Sequence, residues 1–174
     1  MRWLWIDKII DFEEGKFLRA IKAVTPGEEQ LHSPMDSEGN PLPPTMPSTF
    51  VIEGMAQAAG ILVGTATRFS EKVVLAKITK ASFDREIGVG ELIRFSAELD
   101  RLDDQGAATS GFIDVRRRGP QPGAHQWERV GTVDLMFGHL DRNMSGIEFP
   151  EENFVFSDNF AFLLKDAGLS YLLP

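Results

Sequence analysis

Apolar positions along this chain follow two different rhythms, and the change between them marks out the elements. From Ser48 to Phe69 they surround a helix, with Phe50, Val51, Ile52, Met55, Ile61, Leu62 and Val63 on all its sides. A helix that is apolar all round is a buried one. Ala56, Gly60 and Gly64 recur every fourth residue, so one face is nearly bare of side chains, and a curled sheet is expected to approach it there. Glycine inside a helix costs about 1 kcal/mol relative to alanine, so packing has to offset the difference.

Outside that helix the rhythm shortens towards two. Residues 3–10 and 16–24 read as two short strands about a turn at 13–16, and four longer runs follow the helix at 73–83, 92–102, 107–118 and 125–140. A bend at 84–91, a turn at 103–106 and a loop at 119–124 separate them, the punctuation of an antiparallel meander. One buried helix with a sheet of about six strands predicts an α+β architecture, the sheet wrapped around the helix.

Two stretches break the pattern. Between Thr25 and Met46 five prolines and two glycines exclude long regular elements, and a loop of that length inside a compact domain is functional or disordered. It holds His32 and leads directly into the helix. Beyond residue 140 the strand pattern stops; Ser157 and Asp158 are candidate N-caps for one amphipathic helix that Gly168 ends, and it is expected to cover an edge or an apolar patch. The expected division is a body over 1–140 and a C-terminal extension with a short helix over 141–174.

Composition narrows the function. The 174 residues are 43% hydrophobic and 25% charged, as in an ordinary globular protein of one domain. A net charge of −8 argues against nucleic acid and anionic membrane surfaces as general partners. With no cysteine, disulfides, thiolate catalysis and cysteine-dependent metal sites are excluded, which fits a reducing, cytoplasmic setting. The N-terminus reaches Asp7 before any run long enough for a signal-peptide core, and no transmembrane segment is expected, because Glu53, Gln57 and several small residues interrupt the central apolar stretch.

The candidate chemistry lies inside that stretch. Glu53 and Gln57 are four residues apart and share a helix face. A capping box would place Ser or Thr at position 50, which is Phe, so a structural role for Glu53 reduces to favouring the positive end of the helix dipole. The functional alternative is a general acid. Gln57 orients that acid, bonds across a subunit boundary or packs in the core. His125 and His139 have no motif around them and no spacing that links them to His32 as metal ligands, so both read as structural or exposed.

The stretch MetProSerThrPheValIleGluGlyMetAlaGlnAlaAlaGlyIleLeu at 46–62 resembles the central helix of the 3-hydroxyacyl-[acyl-carrier-protein] dehydratases, which have the hot-dog fold. The opening hairpin and LysAlaSerPheAspArgGluIleGlyValGlyGluLeu at 80–92 resemble further parts of that family. The resemblance implies a loop His and a helix acid as catalytic groups. Glu53 matches the acid directly. HisSerPro at 32–34 keeps a His-x-Pro core, with about seven extra residues before MetPro; counting back without a gap places Gly39 at the His position, whereas an insertion, cheap in a loop, assigns His32. MetProSer replaces MetProGly, so Ser48 stands where a backbone N–H helps to polarise the thioester carbonyl.

By resemblance, His32 removes a proton from C2 of a 3-hydroxyacyl thioester and Glu53 protonates the departing C3 hydroxyl, with N–H groups near Ser48 and Gly54 and the side chain of Gln57 binding substrate. No metal or redox cofactor is implied. The partners implied are an acyl carrier protein with its acyl-phosphopantetheine and a second copy of the chain, in a homodimer or higher assembly. Lys77, Lys80 and Arg85, or Arg116 to Arg118, are the cationic candidates for docking an acidic carrier, with a solvated strand end as the plainer reading of the triplet. A hot-dog thioesterase and a non-catalytic acyl-carrier-binding subunit remain as alternatives.

Overall fold

The computed structural model describes residues 3–117, 126–139 and 158–173. Strands β1 (Lys8–Glu13), β2 (Phe17–Ala23), β4 (Val73–Phe83), β6 (Glu91–Asp103), β7 (Gly106–Arg117) and β8 (Glu128–His139) form one antiparallel sheet in the order β1-β2-β6-β7-β8-β4. Helix α1 (Ser48–Ala66) lies across it. This is the sheet around one helix expected from the apolar pattern, and the hot-dog fold that the resemblance implies.

The concave face is built by alternation. Leu18 and Ala20 of β2, Ile93, Phe95 and Ala97 of β6, Ile113 and Val115 of β7, and Val133, Leu135 and Phe137 of β8 are all buried. Against them α1 buries Val51, Met55, Ala58, Ala59, Ile61, Leu62 and Val63. By length and composition α1 could cross a bilayer, but 67% of its apolar window is buried inside the protein, as befits a core helix.

The closest approaches of helix and sheet correct the expected role of the small residues. A Cβ on Gly54 would meet Phe95 Cζ at 2.5 Å, and one on Gly111 of β7 would meet Met55 Sδ at 2.7 Å and the Val133 carbonyl at 2.4 Å. Gly60 has ordinary space, with Phe137 at 3.7 Å, and Ala56 and Gly60 are only half-buried. The tightest contacts of the sheet on α1 fall at Gly54 and Met55, outside the every-fourth-residue stripe, of which only Gly64 is buried.

The first expected strand is displaced. Residues 3–6 do not pair in the sheet, and β1 begins at Lys8, so the strand expected over 3–10 is corrected to 8–13. Trp5 and Ile6 are buried, and the main chain of this segment bonds instead to a side chain of α1, as described below.

The long loop also contains more order than its prolines suggest. Two residues, β3 (Thr45–Met46), pair with β5 (Ile87–Gly88) in the expected bend, and nested antiparallel bridges join His32 to Thr45 and Met35 to Pro41. At the tip, Asp36 Oδ1 accepts the N–H groups of Glu38 and Asn40 at 2.9 Å each. Asn40, through its backbone and then its side chain, holds the exposed Asp36 carboxyl below its usual range.

At the other end of the chain, α2 (Asp158–Asp166) packs against β1 and a 3-10 turn at Ser170–Leu172 packs against α2, with Leu163, Leu164 and Leu172 buried. Gly168 follows with φ +75°, the left-handed stop that glycine supplies. The candidate cap Ser157 and the loop at 119–124 lie outside the described residues.

Candidate active site

Helix α1 starts after Pro47 with no side-chain cap; the N–H groups of Phe50 and Val51 donate to the Pro47 carbonyl, and those of Ser48 and Thr49 are available to another acceptor. Ser48, exposed, is the first residue of that turn. Gly54 is the seventh residue of the helix; its N–H belongs to the paired interior, and its lack of a side chain serves the contact with Phe95 and the Trp5 carbonyl. As a donor to substrate Gly54 is therefore corrected to a packing residue.

Glu53, half-buried, lies beyond the first turn, so neither capping nor a first-turn dipole contact accounts for it. Its Oε1 accepts a hydrogen bond from Gln57 Nε2 at 2.9 Å. The same nitrogen donates to the Trp3 carbonyl at 3.1 Å, and Gln57 Oε1 accepts the Trp5 N–H at 2.8 Å. Next to this pair stands an aromatic group: the Trp5 and Phe50 rings stack at 4.3 Å, and Trp3 meets both edge-on at 5.5 and 5.9 Å. Ala56 and Gly60 continue the half-buried side of the helix on which Glu53 sits.

His32 is exposed, and among the described residues its ring makes no hydrogen bond or ion pair with Glu53 or any other side chain. Its main chain is fixed, with N–H donating to the Thr45 carbonyl at 3.2 Å and carbonyl accepting the Thr45 N–H at 2.9 Å. Thr45 lies three residues before the helix. Gly39, the alternative from ungapped counting, sits with φ +84° at the loop tip beside Asn40, away from this anchor. The bridge thus returns His32 to the approach of the helix despite the intervening residues.

The bend that carries β5 is tied down by ions. Glu91, with a side chain only 4% exposed, receives both terminal nitrogens of Arg85 at 2.9 and 3.0 Å, Arg117 Nε at 3.2 Å and the Gly88 N–H at 2.9 Å. Burial opposes its charge, but Arg85, the Gly88 amide and Arg117 together hold its carboxyl below the ordinary 4.5. Arg85 also meets Glu128 at 3.0 Å, so it is committed within the fold, a correction to its place among the docking cations. Lys77 and Lys80 are exposed on β4, Arg116 lies over the Trp127 ring at 4.8 Å, and Arg118 is outside the described residues. A cleft of about 530 Å³ runs between this bend and the proline-rich loop, bounded by Pro34, Leu42, Thr45, Arg85, Glu91 and Arg117.

His139 is buried, with Nε2 at 3.2 Å from the Asp103 carbonyl and Nδ1 at 2.8 Å from Glu71, which makes it a tie between strand ends. His125 lies outside the described residues. Sequence reasoning missed Trp3 and Trp5, whose contribution is through main-chain atoms that no motif records.

Comparison with known proteins bears on the same residues. The family profile of the FabA-like domain matches residues 1–116. The 3-hydroxyacyl-[acyl-carrier-protein] dehydratase FabZ of Actinobacillus pleuropneumoniae is 38% identical over 100 residues, 56% of this chain and 62% of that protein, so the match spans less than two thirds of the relative's length. FabZ of Sodalis glossinidius is 35% identical over 132 residues, 67% of this chain and 84% of that one. Among solved structures, the dehydratase heterocomplex ApeI:P from Xenorhabdus doucetiae superposes with a TM-score of 0.56 at 16% identity, over 78% of this chain and 82% of its own, a likeness of fold.

Proposed function

The chain belongs to the FabA-like domain family, and from that premise we propose that it dehydrates 3-hydroxyacyl thioesters, carried on an acyl carrier protein, to trans-2-enoyl thioesters in fatty acid or related lipid or polyketide synthesis. The observation that carries the reading is the half-buried Glu53 on the core helix, held by Gln57 inside an otherwise apolar stretch.

In this mechanism neutral His32 takes the C2 proton, the electron pair forms the C2–C3 double bond, and the C3–O bond breaks as Glu53 protonates the departing hydroxyl, releasing water. Charge gathers on the thioester oxygen during proton removal. The uncapped first turn of α1, at Ser48, is suited to receive it, since unpaired N–H groups and the helix dipole both favour an anion. Substrate chain length is accommodated along Ala56 and Gly60, where small side chains leave room beside Glu53.

His32 and Glu53 make no hydrogen bond or ion pair within one chain, which is consistent with a site that takes its His and its acid from two copies. Supporting a homodimer is strand β4, at the end of the sheet, whose residues from Leu75 to Ser82 are all exposed, Leu75 and Ile78 at 40% and 44%. An edge of that kind pairs readily with a second one. The acidic carrier would meet the exposed Lys77 and Lys80 on the same strand.

The test is hydration of a crotonyl thioester, followed by loss of enoyl-thioester absorbance, with Glu53→Gln and His32→Ala alongside. Loss of activity in both variants supports the dehydratase reading. Thioester hydrolysis that survives His32→Ala would transfer the assignment to a thioesterase.

A further inference from the structure

Glu53 is not positioned by its own helix alone. The Gln57 amide that holds it is 7% exposed and has a single orientation compatible with its neighbours. Its oxygen accepts the Trp5 N–H, and its nitrogen faces two acceptors, the Trp3 carbonyl and Glu53 Oε1. Turned over, the amide would set oxygen against both of these oxygens and nitrogen against an N–H. The main chain of residues 3–5 therefore decides which atom of Gln57 meets Glu53.

That segment is itself secured. The Trp5 ring is 6% exposed and stacked on Phe50, and Trp3 closes edge-on against both. Phe50 precedes Glu53 by three residues, so ring stack and carboxyl share a side of the helix. The absence of a side chain at Gly54 lets the Trp5 carbonyl lie 3.0 Å from the point a Cβ would occupy.

We propose that the N-terminal segment Trp3–Trp5 is a positioning element of the active site: its main chain locks the Gln57 amide, which engages Oε1 of Glu53 and leaves Oε2 to the substrate. The proposal rests on the reading of Glu53 as the acid. Displacement of a reacting group by about 1 Å costs on the order of 100-fold in rate, which sets the scale of the expected effects.

Crotonyl-thioester hydration by the full chain gives kcat and KM for the wild type, Glu53→Gln, Gln57→Met, their double variant, Trp5→Phe and Trp5→Pro. Gln57→Met keeps the bulk and removes the amide; it is expected to lower kcat by roughly 10- to 100-fold with KM within about twofold. In the Glu53→Gln background, measured on residual activity at high enzyme concentration, the same change should have no further effect, because a residue acting through Glu53 has nothing left to act on. Trp5→Pro, which deletes the N–H, should fall at least about tenfold below Trp5→Phe, which keeps it.

Unchanged kcat in Gln57→Met, or an equal loss in both backgrounds, overturns the proposal. If Trp5→Pro does not fold by circular dichroism, the Gln57 cycle decides by itself. An inactive wild type, or activity in Glu53→Gln equal to that of the wild type, instead refutes the assignment of Glu53 and removes the basis of the proposal.

Discussion

Replacing Glu91 by Gln isolates the ion cluster that fastens the bend to the sheet. Both carboxylate oxygens accept from two donors: Oε1 from Arg85 Nη2 and Arg117 Nε, Oε2 from Arg85 Nη1 and the Gly88 N–H. Whichever end the new NH₂ occupies, it faces two donors, so two bonds are lost and a repulsion replaces them. Truncating one partner of a buried pair costs about 3–5 kcal/mol. Arg85 keeps Glu128 and is 30% exposed, which reduces the expected loss to roughly 2–4 kcal/mol at pH 7. For a chain of this size that lowers Tm by about 5–12 °C.

The pH dependence supplies the sharper test. The folded carboxyl of Glu91 titrates below its ordinary 4.5, so its stabilisation is fully present above about pH 5 and is lost as pH falls through the folded value. Gln does not titrate, and all other groups cancel in the comparison. Urea unfolding of both proteins between pH 7 and 3 should show a constant gap down to about pH 5 that narrows below it. A gap under about 1 kcal/mol at pH 7, or one that stays constant or widens in acid, would refute the reasoning.

Two further changes address packing. Gly111→Ala drives a Cβ into the Val133 carbonyl and Met55, neither able to retreat freely, and should cost about 2–3 kcal/mol of unfolding free energy measured in urea; a loss below about 0.5 kcal/mol would show that β7 can shift away from the helix. Leu164→Ala, at a fully buried position of α2, should cost about 2–5 kcal/mol in the same single unfolding transition, whereas an undisturbed transition would mean that α2 contributes nothing to the body.

Much of the fold was legible because periodicity survives local irregularity. Alternation in β2, β7 and β8 and the all-round apolarity of α1 are repeated many times, and one misplaced residue does not erase them. Trp3 to Ile6 illustrates the opposite case. Four apolar residues read equally well as a strand or as a segment that buries Trp5 and Ile6 and gives its main chain to a distant amide, and only the structure distinguishes them. The same limit applies to the helix glycines. Which of Gly54 and Gly60 meets the sheet depends on the helix's rotation, which spacing along the chain does not determine.

For the site, Glu53 and Gln57 stood out as polar residues in an apolar helix, a contrast visible in composition alone. His32 could be assigned only through an insertion, and the two-residue pairing that returns it to the helix approach is too short to leave a pattern. Arg85 looked available as a surface cation because Glu91 and Glu128, its partners, are 6 and 43 positions away.

The two nested bridges of the proline-rich loop make it a side branch instead of an in-line spacer. Residues between Met35 and Pro41 lie beyond both bridges, so adding or deleting residues there changes the length of the branch and leaves its base alone. A one-residue change between the bridges is a different matter, because the side-chain period of paired strands is two and a single step turns the neighbouring side chains to the opposite face. The loop is therefore open to variation at its tip and closed to it at its root, where parity decides on which face of the paired segment the imidazole of His32 stands.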